Sequence, residues 1–403
     1  MKRKISYITM AVFLAGIFII GFLNLKALCP QIKEKLQNDT TYFAEGGSKL
    51  EEDYRTGFFA RNKWINLYGM LQKVLGRKVI GNMDFVRTEN GLMDYVTKDT
   101  EVLPFADEMV ELKGRLDERE IPLLYIQMPA REEPGGSDPE ELLKVRTYYR
   151  QIRNVTDAAG IDCMDEKEIL SGEGAPSTAE FFFKTDIHTT TKAEIWMAEK
   201  IAEQLKNRYQ VEISDVLRPD DERFQIHSHP FLGNLAQSAG AYYDGVDTFE
   251  EYIPKAETDF HVYDLNGQWE QDGSYEEVLM NGYDQQLQNS DKDEMHTYWI
   301  TNYLKYGYPA YRIENRNSDG PDLLFICDSL CYRTLSYLAL SCKSITVVDP
   351  RFYPDGENQD MVGLALDGQH YDAAMYLHGT FYTTKYSMFG RWSLDEESGK
   401  ASQ

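Results

Sequence analysis

Ser329 stands at a position where a serine can act as a nucleophile. An apolar segment, 323–327, runs straight into Asp328 and Ser329, and a helical pattern follows over 330–341. A serine there lies at the carboxyl end of a strand and at a helix N-terminus, where backbone N–H groups stabilise a developing oxyanion. Asp and Ser are also the commonest helix caps, so this segment alone is equally compatible with a structural role.

A second pattern places a carboxylate beside an imidazole. Asp186 and His188 follow the aromatic residues 181–183 and precede a helical pattern over 192–204. In an extended segment residues i and i+2 project to the same face, so Asp186 can orient His188 for proton transfer. The pair could instead cap the helix, but the three threonines at 189–191 are nearer and chemically better caps.

The helices and strands around these residues are predicted to form an α/β fold. Nearly continuous apolar runs at 121–128, 323–327, 344–348 and 373–377 are typical of parallel strands covered on both faces. Helical patterns alternate with them, which predicts βαβ units and a mainly parallel sheet. Between them, residues 208–320 are rich in Asp, Asn, Gly, Gln and Tyr, so we expect insertions or a cap over the sheet there.

Composition excludes several classes of protein. Hydrophobic residues make up 42% of the chain and charged residues 27%, which is typical of a folded domain rather than a disordered one. The formal net charge of −24 argues against nucleic-acid partners, and also against docking on anionic lipid, because the field repels phosphates.

The N-terminus predicts a membrane anchor. Lys2, Arg3 and Lys4 precede an uncharged, mostly apolar run over 5–25, long enough at about 1.5 Å per residue to cross a bilayer core of about 30 Å. The basic cluster predicts a cytoplasmic N-terminus and an extracellular remainder. A cleaved signal peptide is the alternative, but no small-x-small cleavage site follows the run.

The expected domain organisation follows from these segments. We predict a cytoplasmic stub with a transmembrane anchor over 1–28, a juxtamembrane stalk over 29–58, a catalytic domain over 59–390 and a flexible tail over 391–403.

The two motifs together resemble a known family. Asp186-x-His188-Thr189 before a helix, then strand-Asp328-Ser329-helix, then the segment 348–353, is similar to the DHHW family and the SGNH-like alginate O-acetyltransferases. In ordinary SGNH hydrolases the serine comes first, so the resemblance implies a permuted, three-layer SGNH-like α/β fold over about 58–390. Cys327 stands where that pattern has Gly, and Thr189 where the DHHW pattern has Trp.

The resemblance implies roles for named residues. Ser329 would be the nucleophile, His188 the general base and Asp186 the carboxylate that orients it. Candidate oxyanion or substrate residues are Leu330, Tyr332 and Arg351.

It also implies a reaction and its partners. An acyl group, expected to be acetyl, would move to or from a hydroxyl of a cell-envelope or secreted polysaccharide. The donor would be supplied by a partner that resembles membrane-bound O-acyltransferases, and no cofactor or metal is expected.

Two other functions remain open at this point. The protein could be a non-catalytic glycan-binding or scaffold component of a polysaccharide assembly. It could also be a metallohydrolase, in which His227 and His229, in a predicted polar loop, join Asp186 and His188, although a third ligand at characteristic spacing is missing.

Overall fold

A computed structural model describes most of the chain. The described residues are 2–38, 57–81, 84–97, 102–133, 135–136, 138, 142–280, 295, 299–304, 307–353, 360–378, 386–391, 393–394 and 401–402. Residues 39–56 of the predicted stalk and most of the predicted tail therefore lie outside the description.

The helices begin and end close to the apolar patterns. They are α1 (Lys2–Asn38), α2 (Arg61–Val74), α3 (Leu103–Asp117), α4 (Val145–Ala158), α5 (Glu166–Ile169), α6 (Thr178–Phe181), α7 (Thr191–Tyr209), α8 (Asn234–Ala239), α9 (Ala241–Asp244), α10 (Tyr332–Ala339) and α11 (Met361–Leu366). Short 3₁₀ turns lie at Trp299–Asn302, Ser329–Cys331 and Pro350–Phe352, and a π turn lies at Tyr275–Leu279.

The strands form one large sheet and smaller pairs. They are β1 (Val79–Ile80), β2 (Phe85–Arg87), β3 (Met93–Tyr95), β4 (Leu123–Gln127), β5 (Asp162–Met164), β6 (Phe224–Phe231), β7 (Asp247–Pro254), β8 (Phe260–Asp264), β9 (Glu270–Gly273), β10 (Ala310–Asn315), β11 (Asp322–Cys327), β12 (Ser344–Val348), β13 (Ala373–His378), β14 (Ser393–Leu394) and β15 (Ala401–Ser402). The order in the large sheet is β5-β4-β13-β11-β12-β10-β8-β9.

The predicted mainly parallel sheet is confirmed. Strands β5, β4, β13, β11 and β12 run parallel, whereas β10, β8 and β9 continue the sheet in antiparallel pairing. These three antiparallel strands come from the predicted insertion at 208–320, so part of that segment widens the sheet rather than covering it. Strands β6 and β7 pair with each other as a separate hairpin.

Side chains of alternate residues divide the core into two layers around the sheet. Leu323, Phe325 and Cys327 of β11 point into a core shared with α7 and α10, while Leu324 and Ile326 point into a core shared with α3, α4 and α11. Because successive strand residues face opposite sides, a fully apolar strand can be buried only between two layers of helices. The predicted three-layer arrangement is therefore present.

The N-terminal helix is long and apolar. Among the described residues, the stretch Phe13–Pro30 of α1, with a mean hydropathy of 1.9, has the length and composition of a membrane span. α1 continues to Asn38, beyond the predicted anchor boundary at residue 28.

Candidate active site

Ser329 lies at the carboxyl edge of the sheet, in the 3₁₀ turn that joins β11 to α10. Its side chain is half-buried. Asp328 is buried and caps the turn, because its carboxylate accepts a hydrogen bond from the N–H of Leu330 at 2.9 Å. The Leu330 amide would therefore have to share or release Asp328 before it could donate to an oxyanion.

Arg351 reaches Ser329 from the next strand. It lies in the turn that follows β12, which is the parallel neighbour of β11, so both residues stand at the same edge of the sheet. The Arg351 Nη1 donates a hydrogen bond to the Ser329 Oγ at 3.0 Å. The sequence-predicted pair of Ser329 and Arg351 is thus brought into direct contact.

A buried carboxylate fixes the Arg351 guanidinium. Asp349 accepts from the Arg351 Nε at 2.9 Å and from its Nη2 at 2.6 Å, and it also accepts from the Tyr332 hydroxyl at 2.5 Å. Burial alone would lower the pKa of Arg351, but the hydrogen bonds and charge of Asp349 outweigh burial and raise it. The guanidinium therefore keeps its positive charge beside Ser329, and Tyr332 supports it through Asp349.

Asp186 and His188 form a second group of candidate residues. The Nδ1 of His188 lies 2.6 Å from the Asp186 Oδ1, and both residues are buried. Burial would raise the pKa of Asp186, but the charge and hydrogen bond of His188 and the N–H groups of Asn234 and His188 lower it, so the carboxylate is ionised. Because Asp186 engages Nδ1, the tautomer that leaves Nε2 as the basic nitrogen is favoured.

The predicted proximity of this pair is confirmed, but the reason given for it was wrong. Residues 184–188 form a bend rather than an extended strand. The bend is closed by a bridge between Phe182 and Thr189, and the His188 N–H itself donates to Asp186 at 3.0 Å. Thr190, as predicted, caps the following helix α7.

Neighbouring loops hold the bend in place. The Asn234 N–H donates to the Asp186 Oδ2 at 2.8 Å, and Asp247 accepts from the N–H of Thr185 at 2.7 Å. A Cβ added at Gly233 would lie 2.4 Å from the Asp186 Cβ, so only glycine allows this approach. The carboxylate is therefore positioned by the start of α8 as well as by His188.

A buried ion pair joins the elements that carry the two groups of candidate residues. Arg333 of α10 donates to the backbone carbonyl of Thr189 and, at 3.2 Å, to the carboxylate of Glu194 in α7. Glu194 also accepts from the Thr189 hydroxyl and from the Thr334 N–H, the latter at 3.1 Å. These contacts connect the helix that follows Ser329 to the residue that follows His188.

Sequence reasoning missed Glu194, Arg333 and Thr334. The available signal was weak: Arg333 and Thr334 are polar residues near the start of an otherwise apolar helix, and Glu194 lies in the first turn of α7. Both charged side chains are about 2% exposed.

The residues of the metal hypothesis do not come together as a ligand set. His227 and His229 lie on β6 rather than in the predicted loop. His229 stacks on Trp299 with ring centroids 4.2 Å apart, and its Nε2 lies 3.3 Å from the Glu251 Oε2. Over the part of the chain that the structure covers, no group of three His, Cys, Asp or Glu side chains could hold a metal ion.

Comparison with solved structures identifies the fold. PatB1 from Bacillus cereus, solved with a sulfonyl adduct, matches with a TM-score of 0.54 and 15% sequence identity over 77% of this chain and 98% of that protein. A second structure of PatB1 matches with a TM-score of 0.50 and 14% identity over 76% and 98% of the two chains. A DHHW family protein from Eubacterium siraeum matches with a TM-score of 0.51 and 15% identity over 74% and 93%.

Sequence comparisons add nothing to this likeness. No protein-family model matches the chain, and no curated protein matches it significantly. The predicted resemblance to the DHHW family is confirmed at the level of the fold.

Proposed function

We propose that the protein is a serine-dependent O-acyltransferase or esterase that acts on a cell-envelope or secreted polysaccharide outside the cytoplasm. The observation that carries this proposal is the placement of an Asp186–His188 pair and an arginine-bound Ser329 in elements joined by the Glu194–Arg333 contacts. A nucleophile, a base with its orienting carboxylate, and a fixed positive charge are what acyl transfer requires.

The proposed chemistry proceeds in two steps. The His188 Nε2 takes the proton of Ser329 as its Oγ bonds to the acyl carbonyl carbon, and the donor's oxygen leaves with that proton. In the second step His188 takes a proton from the acceptor hydroxyl, whose oxygen bonds to the acyl carbon, and returns that proton to the Ser329 Oγ as the bond between the Oγ and the acyl carbon breaks. Transfer and hydrolysis share this ester intermediate and differ only in whether a sugar hydroxyl or water resolves it.

Arg351 has a specific part in both steps. Negative charge develops on the carbonyl oxygen beside Ser329, and the guanidinium is already oriented there by Asp349. Such preorganised donors stabilise the tetrahedral intermediate without reorganisation during the reaction.

The proposed setting follows from α1. As a membrane anchor with a cytoplasmic N-terminus, this helix would keep the enzyme beside a membrane-bound O-acyltransferase-like partner that delivers the acyl group. An acetyl group on a sugar hydroxyl is the product that this arrangement favours.

A labelling experiment on the full chain separates the three candidate functions. A serine-directed sulfonyl fluoride should stop hydrolysis of a small acetyl ester and label Ser329, whereas a strong chelator should have no effect. The matched control is Ser318→Ala, which removes another half-buried serine and should be labelled and active like the wild type. Loss of activity with chelator would support a metallohydrolase. The absence of both label and turnover would support a non-catalytic glycan-binding or scaffold protein.

A further inference from the structure

Helix α2 presents an apolar face to solvent. Val74 is 78% exposed and Leu71 48% exposed, and the same face continues through other large apolar side chains: Trp64, Leu67, Tyr68, Met70 and Leu75. Contiguous exposed patches of this kind mark interaction surfaces in soluble domains.

The opposite face of α2 is fixed to the body of the protein. Gly69 approaches α8 so closely that an added Cβ would lie 2.1 Å from the Ala239 carbonyl oxygen. Asn66 accepts a hydrogen bond from the Ala241 N–H at 2.7 Å, and Gln72 is buried. The apolar side chains therefore face outward because the helix is held by its other side.

The segment that carries this face has a net charge opposite in sign to that of the whole chain. Residues 61–83 contain five basic residues and no acidic one, in a protein of net charge −24. The basic residues are Arg61, Lys63, Lys73, Arg77 and Lys78. Since charges are screened beyond about 8 Å at physiological ionic strength, this local excess governs what the surface contacts.

α2 also begins beside the end of the apolar run of α1. The Phe59 N–H donates to the Asn24 Oδ1 at 2.6 Å, and Asn24 lies at the last turn of the uncharged run 5–25. With the uncharged run 5–25 of α1 spanning a bilayer, Asn24 stands beside Lys26, the first charged residue after the run, near the boundary between hydrocarbon and headgroups, and α2 starts at the same level. Trp64 and Tyr68 are the residue types that concentrate at this boundary.

We propose that α2 is an interfacial helix that lies on the outer surface of the membrane and binds anionic lipid headgroups. Its apolar side chains enter the headgroup region and its lysines and arginines meet lipid phosphates, which is the arrangement of amphipathic membrane-surface helices. This inference rests on the membrane anchoring in the proposed function. It revises the expectation from net charge, because residues 61–83 themselves carry no acidic side chain.

The docked helix would set the orientation of the active site. α2 packs on α8, and the first N–H of α8, that of Asn234, holds the Asp186 carboxylate. The path from the lipid surface to the Asp186–His188 pair thus runs through two packed helices. The site is held at a fixed angle to the bilayer in which its donor arrives.

Fluorescence quenching in nanodiscs tests the proposal on the full chain. The discs contain phosphatidylglycerol with brominated acyl chains, and the signal of Trp64 is the difference between the wild type and Trp64→Phe. We expect Trp64 to be quenched, and quenching to fall by more than half in Leu71→Glu with Val74→Glu or when the lipid is zwitterionic. The matched control, Leu364→Glu, alters another partly exposed leucine on α11 and should be quenched like the wild type.

Three results would overturn the proposal. They are an unquenched Trp64 in protein that co-elutes with the discs, equal quenching in the double variant, and quenching only after an acyl-donor protein is added, which would identify a protein partner instead of lipid. Hydrolysis of a small ester is measured in the same samples. Absence of Ser329-dependent hydrolysis in the wild type counts against the proposed function, whereas any of the three results with hydrolysis intact counts against the lipid surface alone.

Discussion

In the proposed active site, the charged side chains are held in position before substrate arrives. Arg351 is fixed by the buried Asp349 and contacts Ser329, while Asp186 is fixed by Asn234 and orients His188. Each functional side chain thus has a second partner that determines its direction. A cation held in this way needs no rearrangement when charge develops on the substrate.

Replacement of Arg351 measures how much this fixed cation contributes to kcat/KM. We expect Arg351→Ala to lower kcat/KM for a small acetyl ester by about 10²–10³, the usual loss on removing one oxyanion donor. Arg351→Lys should recover little, because lysine cannot pair with Asp349 through two nitrogens while it contacts Ser329. The control is Arg115→Ala, which removes an arginine paired with Glu111 and Asp360 and should leave kcat/KM within about twofold. Near-normal turnover in Arg351→Ala would remove this residue from the mechanism.

At the scale of elements, the strands around Ser329 were predictable and the contacts between elements were not. The runs at 323–327, 344–348 and 373–377 correspond to β11, β12 and β13 because each is apolar at nearly every position, which is typical of a doubly covered strand. Strands β8 to β10 were missed because their segment is polar in composition. In addition, β9 forms the edge of the sheet. Glu194 and Arg333 were missed because a charged residue on a helix is ordinarily solvated, and only the packing of α7 on α10 buries the two together.

In the loop after β4, the buried carboxyl group of Glu132 should make the free energy of unfolding depend on pH. Glu132 is 6% exposed, and its carboxylate lies 3.6 Å from the Arg146 Nε. Burial raises the pKa of Glu132 from 4.5 to about 7. Between these values the unfolded chain releases a proton that the folded chain keeps, so the free energy of unfolding should fall as pH rises from 4.5 to 7.

Glu132→Gln should remove this dependence. At pH above 7 the variant should be more stable than the wild type by up to about 3 kcal/mol, and below 4.5 the difference should vanish. Denaturant unfolding of the full chain in detergent at the two ends of this range measures the effect. Glu133→Gln serves as the control and should keep the wild-type slope. The same slope in both variants would mean that Glu132 is not the group that titrates.

For the whole molecule, the proposed function requires the predicted catalytic domain, residues 59–390, to lie outside the cytoplasm. Lys2, Arg3 and Lys4 precede the apolar run of α1, and this asymmetry is the basis for the proposed orientation. A reporter that is active only after export, fused after residue 60, should be active. Replacing the three basic residues with glutamate should reduce that activity strongly, whereas the same change at Lys33, Lys35 and Arg55, beyond the run, should not. Activity of a cytoplasmic reporter at the same junction would contradict every extracellular assignment.

In the proposed mechanism Ser329 carries the acyl group, so an acyl-enzyme should be detectable. The full chain is mixed with excess small acetyl ester, quenched in acid within the first turnovers, and analysed by intact mass and peptide mapping. We expect one added acetyl group on the peptide that contains Ser329, no adduct in Ser329→Ala, and slow accumulation in His188→Ala because the base is missing. An acetyl group on another residue, or undiminished turnover in Ser329→Ala, would contradict it.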